Sequence, residues 1–219
     1  MKGYNKEKCL EYMFNLQENL QNLLGEKRGI LLPREWDVLD NTVVPMEKSV
    51  EIHTKMSRES GYYMMSTVTE LFEFYEAIHS QNTNAEYRNL DDARFELIDA
   101  WHFLIAQMLY LNIRPTKTLD EYMKHAFVGN EEFTLSGLVG SLTISLGELY
   151  QNTSYKHWKT YTEPKEDKKV LTEIADKIFM QFCRLYVLLD MTAEDVWKFY
   201  YMKNEENIKR QAKNGIYEK

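Results

Sequence analysis

The stretch from about residue 91 to 111 most restricts what this chain can fold into. At helical spacing, Leu97, Ile98, Ala100, Trp101, Phe103, Leu104, Ile105, Ala106, Met108 and Leu109 cover nearly its whole circumference. A helix that is apolar all round is buried, so other elements must wrap it. Yet Glu96, Asp99 and His102 fall on one side of it at i, i+3, i+6. Unpaired carboxylates in such a place either take up protons or need a cation or hydrogen-bond donors.

The rest of the chain predicts what does the wrapping. Among 219 residues there are only 9 glycines and 4 prolines, too few for the turns of a β-sandwich or a loop-rich scaffold. Helical patterns are expected over about 6–25 with Gly25 as a stop, and over 50–79, 91–111, 117–127, 132–151, 168–189 and 193–213. A connector holding Pro33 and Pro45 is expected over about 29–48. Thr192 is a plausible N-cap with Asp195 three residues on. The expectation is an all-α, multi-helix bundle, with residues 1–219 as a single domain. Cys9 and Cys183 lie in amphipathic patterns and read as reduced thiols. No apolar run is long enough to span a membrane, and the start leads into no signal-peptide core, so a cytoplasmic location is expected. A formal charge of −7 disfavours nucleic acid and anionic membranes as partners.

Glu70 and Glu73 repeat the E-x-x-E spacing on the preceding helix, with Glu76 one turn on. Two such pairs facing each other across antiparallel helices would place four carboxylates around one small volume. That donor set suits Mg²⁺, which prefers oxygen ligands and is commonly shared with substrate phosphates. Glu76-x-x-His79 and Asp99-x-x-His102 also raise a ferritin-like di-iron site. An echo lies further along, where Glu148 precedes Glu173-x-x-Asp176 but Ser145 stands where an acid would complete the pair. Either a degenerate internal duplication or a coincidence among acidic helices accounts for it. On the last helix, the apolar stripe Val196, Phe199, Tyr200 continues into Lys203, Asn207, Arg210 and Gln211. Lys and Arg there suit phosphate oxygens, or else form an exposed basic helix end.

Glu70-Leu-Phe-Glu73 followed by the run Phe95–Phe103 resembles the E-x-x-E…E-x-x-D signature of the all-α nucleoside triphosphate pyrophosphohydrolases, and especially the dimeric dUTPases. The tail Lys203-Asn204-x-x-Asn207-x-x-Arg210-Gln211, with Gly215 and Tyr217, resembles that group's K-N-x-x-N-x-x-R-Q…G-Y motif. Leu16-Gln17 resembles its early L-Q element. Two departures stand out: Leu20-Gln21-Asn22 where the group often has an Asn alone, and Tyr155-Lys156-His157-Trp158-Lys159 in the second half. That half is similar to the phage dCTP/dUTP pyrophosphatases, and MazG-type enzymes are more distant relatives.

The resemblance implies that Glu70, Glu73, Glu96 and Asp99 bind about two or three Mg²⁺ ions, with Mn²⁺ as a substitute. Glu73 would orient and deprotonate the attacking water. Lys203 and Arg210 would bind phosphate, and Asn207 sugar or phosphate. Gln17, Gln21, His102 and Tyr217 would complete the base and sugar contacts. It further implies a homodimer that hydrolyses dUTP, with dUDP as a candidate second substrate, to dUMP and pyrophosphate or phosphate. The alternatives are a dCTP-preferring or broad-specificity pyrophosphatase, and a non-catalytic helical interaction dimer.

Overall fold

The computed structural model describes residues 4–28, 44–79, 90–126, 134–153 and 167–212. Within them lie seven helices and no strand: α1 (Cys9–Arg28), α2 (Met46–His79), α3 (Leu90–Tyr110), α4 (Leu119–Ala126), α5 (Leu135–Gln151), α6 (Lys168–Leu188) and α7 (Ala193–Ala212). The all-α bundle expected from the sequence is what the chain forms. No described helix is long and apolar enough to cross a membrane.

Two boundaries differ from expectation. α2 begins at Met46 rather than near 50, because Ser49 N–H bonds to the Pro45 carbonyl. Proline fixes φ near its helical value and has no N–H to satisfy, so it starts this helix instead of extending the connector. α1 passes through Gly25 and runs on to Arg28; Gly25 is buried, so packing outweighs the weak intrinsic preference against helical glycine.

α3 is the axis of the molecule. Its residues 97, 98, 100–102 and 104–110 are buried, as its apolar circumference required. It packs against α1, α2, α6 and α7. Trp101, fully buried, donates its indole N–H to Met13 Sδ at 3.4 Å and meets Phe179, Phe182 and Tyr186 edge-on. One contiguous core takes residues from all seven helices. α2 and α3 run antiparallel: Tyr63 midway along α2 stacks on Phe103 and Tyr110 late in α3, and Glu70, two turns further along α2, meets Glu96 and Asp99 earlier in α3. Cys9 and Cys183 are both free and buried, and burial pushes the Cys9 thiol up to about 11.

The two halves echo each other in their helix ends. α3 closes at Asn112 (φ 53°) with Ile113 N–H on the Met108 carbonyl, and α6 closes at Asp190 (φ 55°) with Met191 N–H on the Tyr186 carbonyl. Both are left-handed C-terminal closures of the Schellman kind. Each is followed by a reciprocal N-cap: Thr118 with Glu121 before α4, and Thr192 with Asp195 before α7. The Thr192 cap follows the sequence expectation.

Trp101→Ala would open a cavity where four aromatic or sulfur partners converge. The expected cost is about 3–5 kcal/mol, read as a lower urea midpoint with an unchanged m-value.

Candidate functional site

Glu70 on α2 and Glu96 and Asp99 on α3 converge, with one carboxylate oxygen from each lying within 4.8 Å of the others. The i, i+3 spacing puts Glu96 and Asp99 on one face of α3, and the antiparallel register of α2 sets Glu70 opposite them. Burial raises all three carboxyls. For Glu70 it combines with the charges of Asp99, Glu73 and Glu96 to push the value up to about 8. Glu96 is raised by burial and then by Asp99. Asp99 is raised by burial against the pull of Lys203. Three hard oxygen donors that repel one another fit a divalent cation, which relieves the repulsion that raises them. Glu73 is exposed and lies outside this triad, close enough for its charge to act on Glu70 and Glu96.

α7 supplies the opposite charge. Lys203 Nζ sits 2.7 Å from Asp99 Oδ2 and occupies the cation's role there. Arg210 pairs with Glu206 one turn back. Lys203, Asn207 and Arg210 recur at i, i+4, i+7, so one face of α7 carries all three.

The third part of the site is uncharged. Gln17 and Gln21, one turn apart on α1, are each only 2% exposed. Gln17 Oε1 takes the His102 Nδ1–H bond at 2.8 Å and the Tyr200 hydroxyl at 3.1 Å. Gln21 Oε1 accepts the Tyr63 hydroxyl at 2.5 Å. The His102 ring stacks on Tyr200, with centroids 3.9 Å apart at 10°. Burial drives the His102 pKa down to about 3, with the Tyr200 main chain opposing and Lys203 assisting, so the imidazole is neutral.

These parts border one cleft of about 270 Å³, to which Gln17, Gln21, Glu70, Asp99, His102, Lys203, Asn207 and Arg210 all contribute. Residues far apart in sequence, and singled out for separate reasons, thus meet in one place. Tyr62, Tyr63 and Phe103 join them, as does Gln211. Tyr63 and Tyr200 had no signal in the sequence beyond an apolar stripe, since their hydroxyl roles depend on partners on α1. Tyr217, Gly215 and the 155–159 segment lie outside the described residues.

Other candidate groups have different uses. His79 and Glu76 are exposed at the end of α2, with His79 against the Tyr75 ring. With His102 bonded to Gln17, no di-iron set assembles among the described residues. In the second half, Glu148 pairs with Lys177 at 3.3 Å. Asp176 receives the Thr116 and Tyr122 hydroxyls and pairs with Lys117 at 3.3 Å. Those bonds hold its carboxyl below the usual range although burial acts the other way. A larger cleft of about 490 Å³ between α1 and residues 114–121 has Arg114 and Lys117 at its edge. Both are already engaged, by Glu18 and Asp176.

Residues 175–215, the second part of α6 and α7, match the family model described as dUTPase. Over that segment the chain is similar to dUTPases. The dCTP pyrophosphatase of Enterobacteria phage LZ5 is 26% identical over 141 residues, covering 52% of this chain and 81% of that protein. The dCTP pyrophosphatase of Enterobacteria phage T4 is 33% identical over 79 residues, which is 31% of this chain and 46% of that protein. The chain therefore spans less than half of the phage T4 relative. The family-model match contains Lys203 and Arg210 but begins well after the carboxylate triad.

In the metal-free protein Glu70 keeps its proton up to about pH 8, whereas an ordinary glutamate loses it near 4.5. Between those values the folded state binds the extra proton, so stability falls as pH rises. Glu70→Gln removes that slope. Relative to wild type, its melting temperature should gain about 2–4 °C on going from pH 5 to pH 8 without metal.

Proposed function

We propose that the chain is a nucleoside triphosphate pyrophosphohydrolase acting on a deoxypyrimidine triphosphate, dUTP by the residue resemblance, yielding the monophosphate and pyrophosphate. The observation that carries this is the single cleft with carboxylates at one end, Lys203 and Arg210 beside them, and neutral amides and an imidazole at the other. A triphosphate has the same sequence of chemistry: polyanion first, uncharged base last. dCTP is the second reading, favoured by the activity for which both phage relatives are named.

Glu70, Glu96 and Asp99 would hold Mg²⁺, which neutralises the triphosphate and lowers the pKa of bound water. Binding the polyanion requires Lys203 to leave Asp99 and Arg210 to leave Glu206, each exchanging a carboxylate for phosphate oxygens. Both then stabilise charge that develops on the leaving pyrophosphate. Glu73, exposed beside the triad, is the base that takes the proton from the attacking water. Asn207 lies between the two cations on α7 and serves sugar or phosphate. Neutral His102 and the two glutamines bind the base without adding charge. The site is proposed to work in a homodimer.

Chromatographic assay of dUTP, dUDP, dCTP and dTTP, with Mg²⁺ and with EDTA, tests the reading. Metal-dependent release of dUMP or dCMP supports it. Asp99→Ala should cut turnover by more than about 100-fold, since disturbing even a group behind a metal ligand costs up to that much. Helicity should be unchanged. An active Asp99→Ala protein overturns the site. Absence of Mg²⁺-dependent stabilisation by a non-hydrolysable dUTP analogue instead indicates the non-catalytic interaction protein.

A further inference from the structure

Uracil and cytosine differ along one edge by an exchange of two neighbouring groups. Uracil offers N3–H and O4, a donor beside an acceptor. Cytosine offers bare N3 and N4–H₂, an acceptor beside a donor. A protein surface that distinguishes them must therefore fix the order of one donor and one acceptor of its own.

Gln17 and His102 form such a pair, joined by the 2.8 Å bond between Oε1 and Nδ1. The neutral imidazole has one N–H. With that hydrogen on Nδ1, donated to Gln17 Oε1, the pair has the amide N–H₂ and an imidazole lone pair to offer. His102 Nε2 is buried with no hydrogen-bond partner among the described residues. Rotating the amide by half a turn forces the opposite arrangement. Its N–H₂ must then donate to Nδ1, the imidazole hydrogen moves to Nε2, and the pair offers an acceptor from Gln17 and a donor from His102. The two states exchange one donor with one acceptor, which is the difference between the two bases.

The Tyr200 hydroxyl touches this equilibrium. It lies 3.1 Å from Gln17 Oε1 and 2.9 Å from the Met13 carbonyl. Pointed at Oε1, its hydrogen holds the amide oxygen inward. Pointed at Met13, it leaves the hydroxyl oxygen free to accept the rotated amide. Gln21 is different, because its oxygen is held by Tyr63 and no imidazole is coupled to it.

We propose that Gln17 and His102 read the pyrimidine as a two-state pair, amide rotation and tautomer shifting together, and that Tyr200 is the positioning residue that sets the balance. This rests on the nucleotide reading of the cleft above.

Tyr200→Phe tests it, because the phenyl ring keeps the stack on His102 and removes only the hydroxyl. Affinities for the α,β-imido analogues of dUTP and dCTP, with Mg²⁺, are measured by calorimetry. The ratio of the two should move toward the base that the wild type disfavours, by about fivefold, the value of one modest hydrogen bond. In nucleotide-free protein, imidazole ¹⁵N spectra should show His102 with its hydrogen on Nδ1 in the wild type and redistributed toward Nε2 in the variant. Tyr63→Phe should weaken both analogues alike and leave both the ratio and the tautomer unchanged. A ratio or a tautomer that stays fixed in Tyr200→Phe overturns the proposal, as does a Tyr63→Phe that moves them equally. A wild-type protein that binds both analogues but hydrolyses neither parent triphosphate overturns the enzyme reading and leaves this one to be decided by the same two measurements.

Discussion

An almost fully apolar helix carrying carboxylates on one side is the constraint from which the rest follows. α3 cannot face water, so α1, α2, α6 and α7 close around it. They cannot close over Glu96 and Asp99 without meeting the cost of two buried charges. What gathers there is therefore chemically selected: an ammonium from α7, a third carboxyl whose burial favours its proton, and neutral hydrogen-bonding groups from α1. The cleft is the place where burial of the axis helix is incomplete.

The same logic bears on the ionisation of the triad. A raised carboxyl pKa means that the fold disfavours the ionised form. Glu70, Glu96 and Asp99 are all raised, and at Asp99 Lys203 and, more weakly, Arg210 oppose this. Asp176 shows the contrast within one molecule. It has the same residue type at the corresponding spacing, but Thr116, Tyr122 and Lys117 satisfy it and its pKa is lowered. One carboxylate helps hold helices together; the other three are crowded into a place that disfavours their charge.

How much of this was legible in the sequence depended on whether a residue contradicted its local surroundings. Glu96 and Asp99 stood out because acids are unexpected in an apolar helix, and Lys203 and Arg210 because an apolar stripe turned polar. Gln17 came from motif resemblance, since one glutamine on an amphipathic helix has no signal of its own. Tyr63 and Tyr200 matched their surroundings, and a tyrosine in an apolar stripe reads as core until the partner of its hydroxyl is known. Gly25 misled because an intrinsic preference of about 1 kcal/mol is small beside the packing of a buried helix. The proline boundary failed for the opposite reason: residue 45 suited either a connector or a first turn, and only the Ser49 bond decided it.

The satisfied state of Asp176 has a consequence for stoichiometry. The chain has two helix pairs with matching ends and echoing acids, which suggests at first two equivalent sites. In the second pair the polar positions are occupied from within, by two hydroxyls and two lysines. A polyanion there would have to displace bonds that hold α4 and α6 together, and would meet no acidic triad among the described residues. The chain is thus repetitive in outline but asymmetric in its chemistry, with the acidic triad among the described residues lying in the first pair alone.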